Sequence, residues 1–261
     1  MATFYVKNEQ IVGEKIQILG DDFYHLKNVL RCKIGENIDI CDENANRYNS
    51  KIIEINENNV TCEIVKIDDK TTESPINVTI YQGVPKADKL ELIIQKTTEL
   101  GVNTIIPVQM ARSVAKIEPK NLEKKLERWN KIAAEASKQS GRQRIPLVGN
   151  VINFKNIIEN ISKYDIVLLP YENEKSTSIK NAVLQARVTN SDIKNIAVII
   201  GPEGGFSEEE VKLLSELEKV CVVTLGPRIL RTETAGIATL AMLLYEFELW
   251  FLFLLGQKLE R

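Results

Sequence analysis

The stretch Ile196-Ala197-Val198-Ile199-Ile200-Gly201-Pro202-Glu203-Gly204-Gly205-Phe206 decides the fold class of this chain. Five apolar, mostly β-branched residues run straight into a glycine-rich bend, the length and composition of a strand buried on both faces. A second such unit follows: Val220-Cys221-Val222-Val223-Thr224 leads into Leu225-Gly226-Pro227-Arg228-Ile229-Leu230-Arg231-Thr232-Glu233-Thr234-Ala235. The two strands are expected to deliver their bends to the same end of one sheet. In open α/β sheets ligands bind beyond the carboxyl ends of the strands, where glycine lets backbone N–H and C=O groups approach closely. That end is the expected site.

Outward from these bends the texture is one of alternating strands and helices. Strands are predicted at 77–82, 103–109 and 166–169, and helices at 86–100 (closed by Gly101), 121–139, 178–187 and 208–217 (capped by Ser207). This alternation predicts a mostly parallel sheet covered on both faces, the α/β class. Before the polar stretch 68–75 the pattern differs. Short β-type runs at 3–6, 15–19, 37–41, 48–55 and 60–67, joined by Asp- and Asn-rich turns, predict a small β-barrel. One helix is expected to interrupt it, at 22–30 with Asp21 as its N-cap. Two domains result, 1–70 and 76–261.

Composition narrows the class. The chain has 261 residues and 44% apolar residues, ample for packed cores, and disorder is excluded. Cys32, Cys41, Cys62 and Cys221 fall in no disulfide or metal-ligand spacing, so reduced thiols, no metal site and a cytoplasmic protein are expected. A leader peptide is not expected, because no basic stretch followed by an apolar core precedes the first strand. The stretch 237–255 has the length of a membrane span, but Glu246 and Glu248 lie in it, each costing about 2–3 kcal/mol near a bilayer centre. A helix buried against the sheet or a second subunit is expected instead, with the apolar run 249–255 as a candidate interface. Charge is uneven: residues 77–145 carry 13 basic and 7 acidic side chains against 9 and 14 in 1–76 and 12 and 15 in 146–261. The electropositive middle suits a polyanion, or equally a solvated amphipathic helix.

The bend at 201–206 lacks the lysine of a P-loop and the spacing of a dinucleotide fingerprint, so alone it reads equally as a tight turn or a ligand loop. Arg228 and Arg231, three apart beside the second bend, suit an anionic or polar substrate through their planar donors; the competing reading is a surface ion pair. Arg142 and Arg144, after Gly141, read equally as helix-end charges or phosphate contacts.

The string Gly201-Pro202-Glu203-Gly204-Gly205-Phe206, followed by Leu225-Gly226-x-Arg228-Ile229-Leu230-Arg231-x-Glu233-Thr234-Ala235, resembles the ribosomal RNA small-subunit methyltransferase E family. Further strings extend the resemblance: His25-Leu26 with Val29-Leu30-Arg31, Gln95-Lys96-Thr97-Thr98-Glu99-Leu100-Gly101-Val102, and Glu135-Ala136-x-x-Gln139-Ser140-Gly141-Arg142 through Arg144-Ile145-Pro146. The resemblance implies a PUA-like β-barrel followed by a SPOUT methyltransferase domain with a C-terminal trefoil knot, a homodimer, and S-adenosylmethionine-dependent methylation of uridine N3 in 16S rRNA or the 30S subunit. Leu169, Gly201, Gly204, Leu225, Gly226, Leu230, Thr234 and Ala235 are then the expected cofactor contacts. Arg231, and secondly Arg228, would stabilise the uracil anion, with Glu203 as proton acceptor. Arg31, Arg112, Lys138, Arg142 and Arg144 would meet RNA. A related enzyme acting on another RNA, or an RNA-binding protein without catalysis, are the alternatives.

Overall fold

The chain packs as two compact units, Met1–Glu73 with Ser137–Ile145 and Ser74–Ala136 with Pro146–Arg261. The segment at 137–145, which the sequence reading leaves in the second domain, groups with the first. The computed structural model describes residues 3–259, with side chains as far as Glu248; the apolar run 249–255 lies outside the described side chains.

The first unit is a six-stranded sheet of β1 (Thr3–Tyr5), β2 (Ile11–Val12), β3 (Lys15–Ile18), β4 (Asn37–Cys41), β5 (Arg47–Ile55) and β6 (Val60–Asp68). Its order is β1-β4-β5-β6-β3-β2, antiparallel except for the parallel β1–β4 pair. Alternation fixes the faces: Ile16 and Ile18 are buried while Lys15 and Gln17 are exposed. Phe4, Ile40, Ile52 and Leu26 join them in one core, each fully buried aliphatic or aromatic side chain contributing about 1.5–3 kcal/mol. The expected single helix at 22–30 is replaced by a short α1 (Gly20–Tyr24) that continues as one π-type turn, His25–Leu30. Leu19 is the N-cap, without a side-chain cap bond, and Asp21 lies inside the first turn, where the helix dipole favours it.

The second unit holds a wholly parallel sheet: β7 (Asn77–Gly83), β8 (Thr104–Gln109), β9 (Leu147–Val148), β10 (Ile152–Asn153), β11 (Ile166–Pro170), β12 (Asn195–Ile200) and β13 (Val220–Val223). The order is β10-β8-β7-β12-β11-β13, with β9 paired to β8. Strands that follow one another in sequence therefore leave β7 and β12 in opposite directions across the sheet. The crevice between two such strands is where ligands gather. The two glycine-bearing strands are separated by β11, which sequence alone did not place between them.

Side chains alternate between two cores. Ile196, Val198 and Ile200 of β12 join the first of these cores with Ile166 and Leu168 of β11, while Ala197, Ile199, Val167 and Leu169 join the second. Helices α2 (Lys89–Leu100), α3 (Pro119–Ser140), α5 (Ile179–Thr189) and α7 (Thr232–Leu259) supply residues to the first core; α4 (Phe154–Asn160) and α6 (Glu208–Ser215) supply the second. Both faces are thus covered, as expected. Leu240, Leu243, Leu244 and Phe247 of α7 are buried in the first core, so this helix is held by the sheet. No helix among the described residues is long and apolar enough to cross a membrane.

Candidate active site

The loops after β11, β12 and β13 converge beyond the carboxyl end of the sheet. They wall a cavity of about 400 Å³ lined by residues 200–206, by Ile229, Leu230, Arg231, Thr232 and Ala235, and by Pro170, Glu172 and Lys89. A second cavity of about 110 Å³ shares Pro170, Glu172, Ile229, Leu230 and Ala235 with it, and adds Tyr171 and residues 224–228. Together they fall within the roughly 300–1,000 Å³ of small-molecule sites.

Several interactions hold the loops in place. The Thr232 hydroxyl donates to the Gly201 carbonyl at 2.6 Å and accepts from Gln82 Nε2 at 2.9 Å. Gln82 is wholly buried, so the start of α7 is tied to β7 and to the loop after β12 in one place. Gly205 N–H donates to Pro202 O at 2.9 Å, closing the bend. Gly204 lies directly against Arg112, whose Cβ and carbonyl oxygen would sit 2.9 and 3.0 Å from any added Cβ. Gly226 has φ +103, a conformation that only glycine adopts without strain. In the loop after β11, Glu174 accepts from Ser176 Oγ, Ser176 N–H and Thr177 N–H. These bonds, the Ser176 side chain foremost, hold its carboxyl down at about 2.

Charge at the cavity is arranged in pairs. Lys89 Nζ lies 3.0 Å from Glu203 and 3.3 Å from Glu233, and the Glu203 carboxylate also accepts Lys86 N–H at 3.1 Å. Desolvation pushes the Glu203 carboxyl up, but bonds from its own backbone N–H, from Lys89 and from Lys86 outweigh it, and the net shift is downward. A carboxylate held ionised in this way is a poor acceptor for the proton of a weakly acidic N–H. Glu203 is thus tied to Lys89 and to the Lys86 backbone, and with Lys89 it braces the loop. Arg231 lines the larger cavity and Arg228 the smaller, both exposed and without an ion pair among the described residues.

Most of the expected cofactor contacts meet here. Gly201 and Gly204 line the first cavity, Leu225 and Gly226 the second, Leu230 and Ala235 both. Two do not. Leu169 is wholly buried with its side chain in the second core, because β11 runs one residue further and Pro170 is the one that faces the cavities. Thr234 lines neither cavity; Thr232, two residues earlier on α7, takes that place. Lys89 at the start of α2, Gln82 in β7 and Glu172 after β11 carry no local signal of the site, and only the strand order brings them to it.

The expected RNA contacts divide. Arg112 is exposed at the rim and donates to Gly204 O at 3.2 Å. Arg31 is exposed in the first unit, in a left-handed conformation (φ 53). Lys138 is paired with Asp22 at 2.8 Å and lies over the Phe4 ring, and Arg144 is half-buried. Arg142 is a correction: it is 4% exposed and ion-paired with Glu73, so its charge is spent inside the first unit.

Comparison with known proteins bears on this site. The RNA methyltransferase domain family matches residues 72–244, and the RNA methyltransferase PUA domain family residues 18–65. The ribosomal RNA small subunit methyltransferase E of Bacillus subtilis (strain 168) is 39% identical over 233 residues, 89% of this chain and 90% of that one. The chain belongs to the ribosomal RNA small subunit methyltransferase E family. The member from Buchnera aphidicola (subsp. Acyrthosiphon pisum, strain APS) is 29% identical over 92% of this chain and 91% of its own length. The family's crystal structure from Neisseria gonorrhoeae, bound to S-adenosyl methionine, superposes with a TM-score of 0.76 at 30% identity, covering 93% of this chain and 96% of that one.

Proposed function

We propose that this chain transfers the methyl group of S-adenosylmethionine to N3 of a uridine in 16S rRNA, using the paired cavities beyond β11, β12 and β13. The observation that carries the reading is the convergence of the 201–206 and 224–231 loops on shared walls with two arginines that have no ion pair among the described residues, in a family whose N. gonorrhoeae member binds S-adenosyl methionine.

The residues present fit that cofactor. Pro170, Ile200, Phe206, Leu230 and Ala235 offer an apolar bed for an adenine ring, the glycine loops offer backbone groups, and Arg231, Glu172 and the Lys89 pair offer both signs of charge to an amino acid end. When bound, S-adenosylmethionine supplies a methyl already activated on a sulfonium. The work left to the protein is positioning and charge. Arg231, immediately before α7 and without an ion pair among the described residues, stabilises the uracil anion that forms as N3–H ionises; the helix N-terminus adds to the same field. Arg228, beside the smaller cavity, is the second cation. With Glu203 held ionised by Lys89, the N3 proton leaves to solvent.

The finer assignments belong to the same proposal. The homodimer rests on the exposed Met242 and Tyr245 of α7, and the trefoil knot on α7 starting between β7 and the loop after β12. The cytoplasmic compartment and the 30S particle as target follow from an rRNA substrate. Mapping the modified nucleotide by mass spectrometry after incubation with 16S rRNA and with 30S subunits tests the reading. A methyl on uridine N3 is expected; a methyl on tRNA or 23S rRNA, or RNA binding with no transfer, contradicts it.

A further inference from the structure

Glu210 is a carboxylate only 5% exposed, and both of its oxygens are used to join separate loops. Oε1 accepts Ala111 N–H at 2.9 Å, and Oε2 accepts Ser207 N–H at 2.9 Å. The Ser207 hydroxyl returns a bond, accepting Glu210 N–H at 3.1 Å. This Ser-x-x-Glu box is the ordinary way to start a helix, and the Ser207 half of it explains α6. The bond to Ala111 does something else. It fixes the turn after β8, which Ser113 closes by hydrogen bonds in both directions with Met110, against the loop that walls the cavity. Arg112 is the residue so delivered: its backbone rests on Gly204 and its guanidinium donates once to Gly204 O. Among the described residues Arg112 has no carboxylate partner, so most of its planar donor fork faces solvent at the cavity mouth.

We infer that Glu210 is a positioning residue for RNA capture, holding the Arg112 guanidinium at the rim of the cavity so that it meets a phosphodiester next to the target base. A guanidinium fixed by a carbonyl retains full charge and paired donors for a phosphate. Desolvating Glu210 is costly unless both oxygens are satisfied, and they are satisfied only when the two loops are docked. The inference rests on the RNA-methylating reading of the same site.

The test is equilibrium binding of 16S rRNA to the full chain across a range of salt concentrations, with S-adenosylmethionine affinity measured by calorimetry in parallel. Arg112→Ala is expected to reduce the slope of log affinity against log salt by roughly 0.7–0.9, one phosphate contact, with cofactor affinity unchanged. Glu210→Gln is expected to lose the same slope, and the double variant to bind no more weakly than Arg112→Ala alone. Ser207→Ala, which breaks only the cap, is expected to keep the wild-type slope. Gly204→Ala, which pushes Arg112 off its seat with Glu210 intact, gives the same slope loss should Glu210→Gln fail to fold. A wild-type slope in Glu210→Gln or Gly204→Ala, a slope loss in Ser207→Ala, or full additivity with Arg112→Ala overturns the inference. Failure of the wider reading is a separate result: the wild-type chain then transfers no methyl at all.

Discussion

Two segments of this chain carry the same ingredients, a glycine followed by two arginines, and use them oppositely. In Gly141-Arg142-Gln143-Arg144 the first arginine is buried and clasped by Glu73, which also accepts Gln143 N–H at 2.9 Å, while the Arg142 carbonyl accepts from the Tyr5 hydroxyl at 2.7 Å. In the loop at 226–231, Arg228 and Arg231 are exposed, without an ion pair among the described residues, and line the cavities. What separates them is whether the fold brings a carboxylate to the guanidinium. A paired, desolvated arginine fixes structure; an unpaired one at a cavity wall is available to a substrate.

The largest effect that sharpens this contrast is on stability. Arg142→Ala leaves the Glu73 carboxylate, 11% exposed, without its ion-pair partner, and unfolding by denaturant is expected to show a loss of about 3 kcal/mol. An unchanged midpoint with reduced RNA affinity would return Arg142 to the RNA surface. Next comes Arg231→Ala, for which single-turnover methylation at neutral pH is expected to slow by roughly 10²–10³-fold, the scale of a lost transition-state donor. Its melting temperature and cofactor affinity stay near wild type. Gly226→Ala places a side chain at φ +103 in otherwise open space, so the cost is conformational, about 1–2 kcal/mol, read as weaker cofactor binding in calorimetry. The smallest effect is that of Lys138→Ala: its pair with Asp22 is part-exposed, and thermal melting is expected to report less than about 1 kcal/mol.

Which arginine is which was not legible in the sequence, and the reason is physical. Glu73 lies 69 residues from Arg142, and no local pattern announces a partner that distant. Features set by local chemistry read well: the β-branched runs of β12 and β13, the Ser207 cap, and the left-handed Gly101 that ends α2. The β4 strand matches its prediction residue for residue. Features set by strand order did not read. The insertion of β11 between β12 and β13, and with it Glu172 in the cavity walls, is tertiary. Lys89 reaches the site only because β7 pairs with β12. The sequence did offer one signal left unused, the Ser207-x-x-Glu210 spacing, whose acidic member proved to join two loops as well as cap a helix.

The account turns on unpaired guanidinium beside the cavity stabilising a pyrimidine anion, and the pH–rate profile of single-turnover methylation by wild type and Arg231→Ala tests it most directly. Glu203 has a lowered carboxyl pKa, so it is ionised throughout the neutral and alkaline range. Its ion pair with Lys89 is lost only as pH falls below the ordinary carboxylate value of about 4.3, and it adds no inflection to the profile. The predicted result is a rate that rises with pH in both proteins, with the midpoint displaced to higher pH in Arg231→Ala because the uracil ionises less readily without the cation. Superimposable midpoints, with the variant merely scaled down at every pH, would contradict the account.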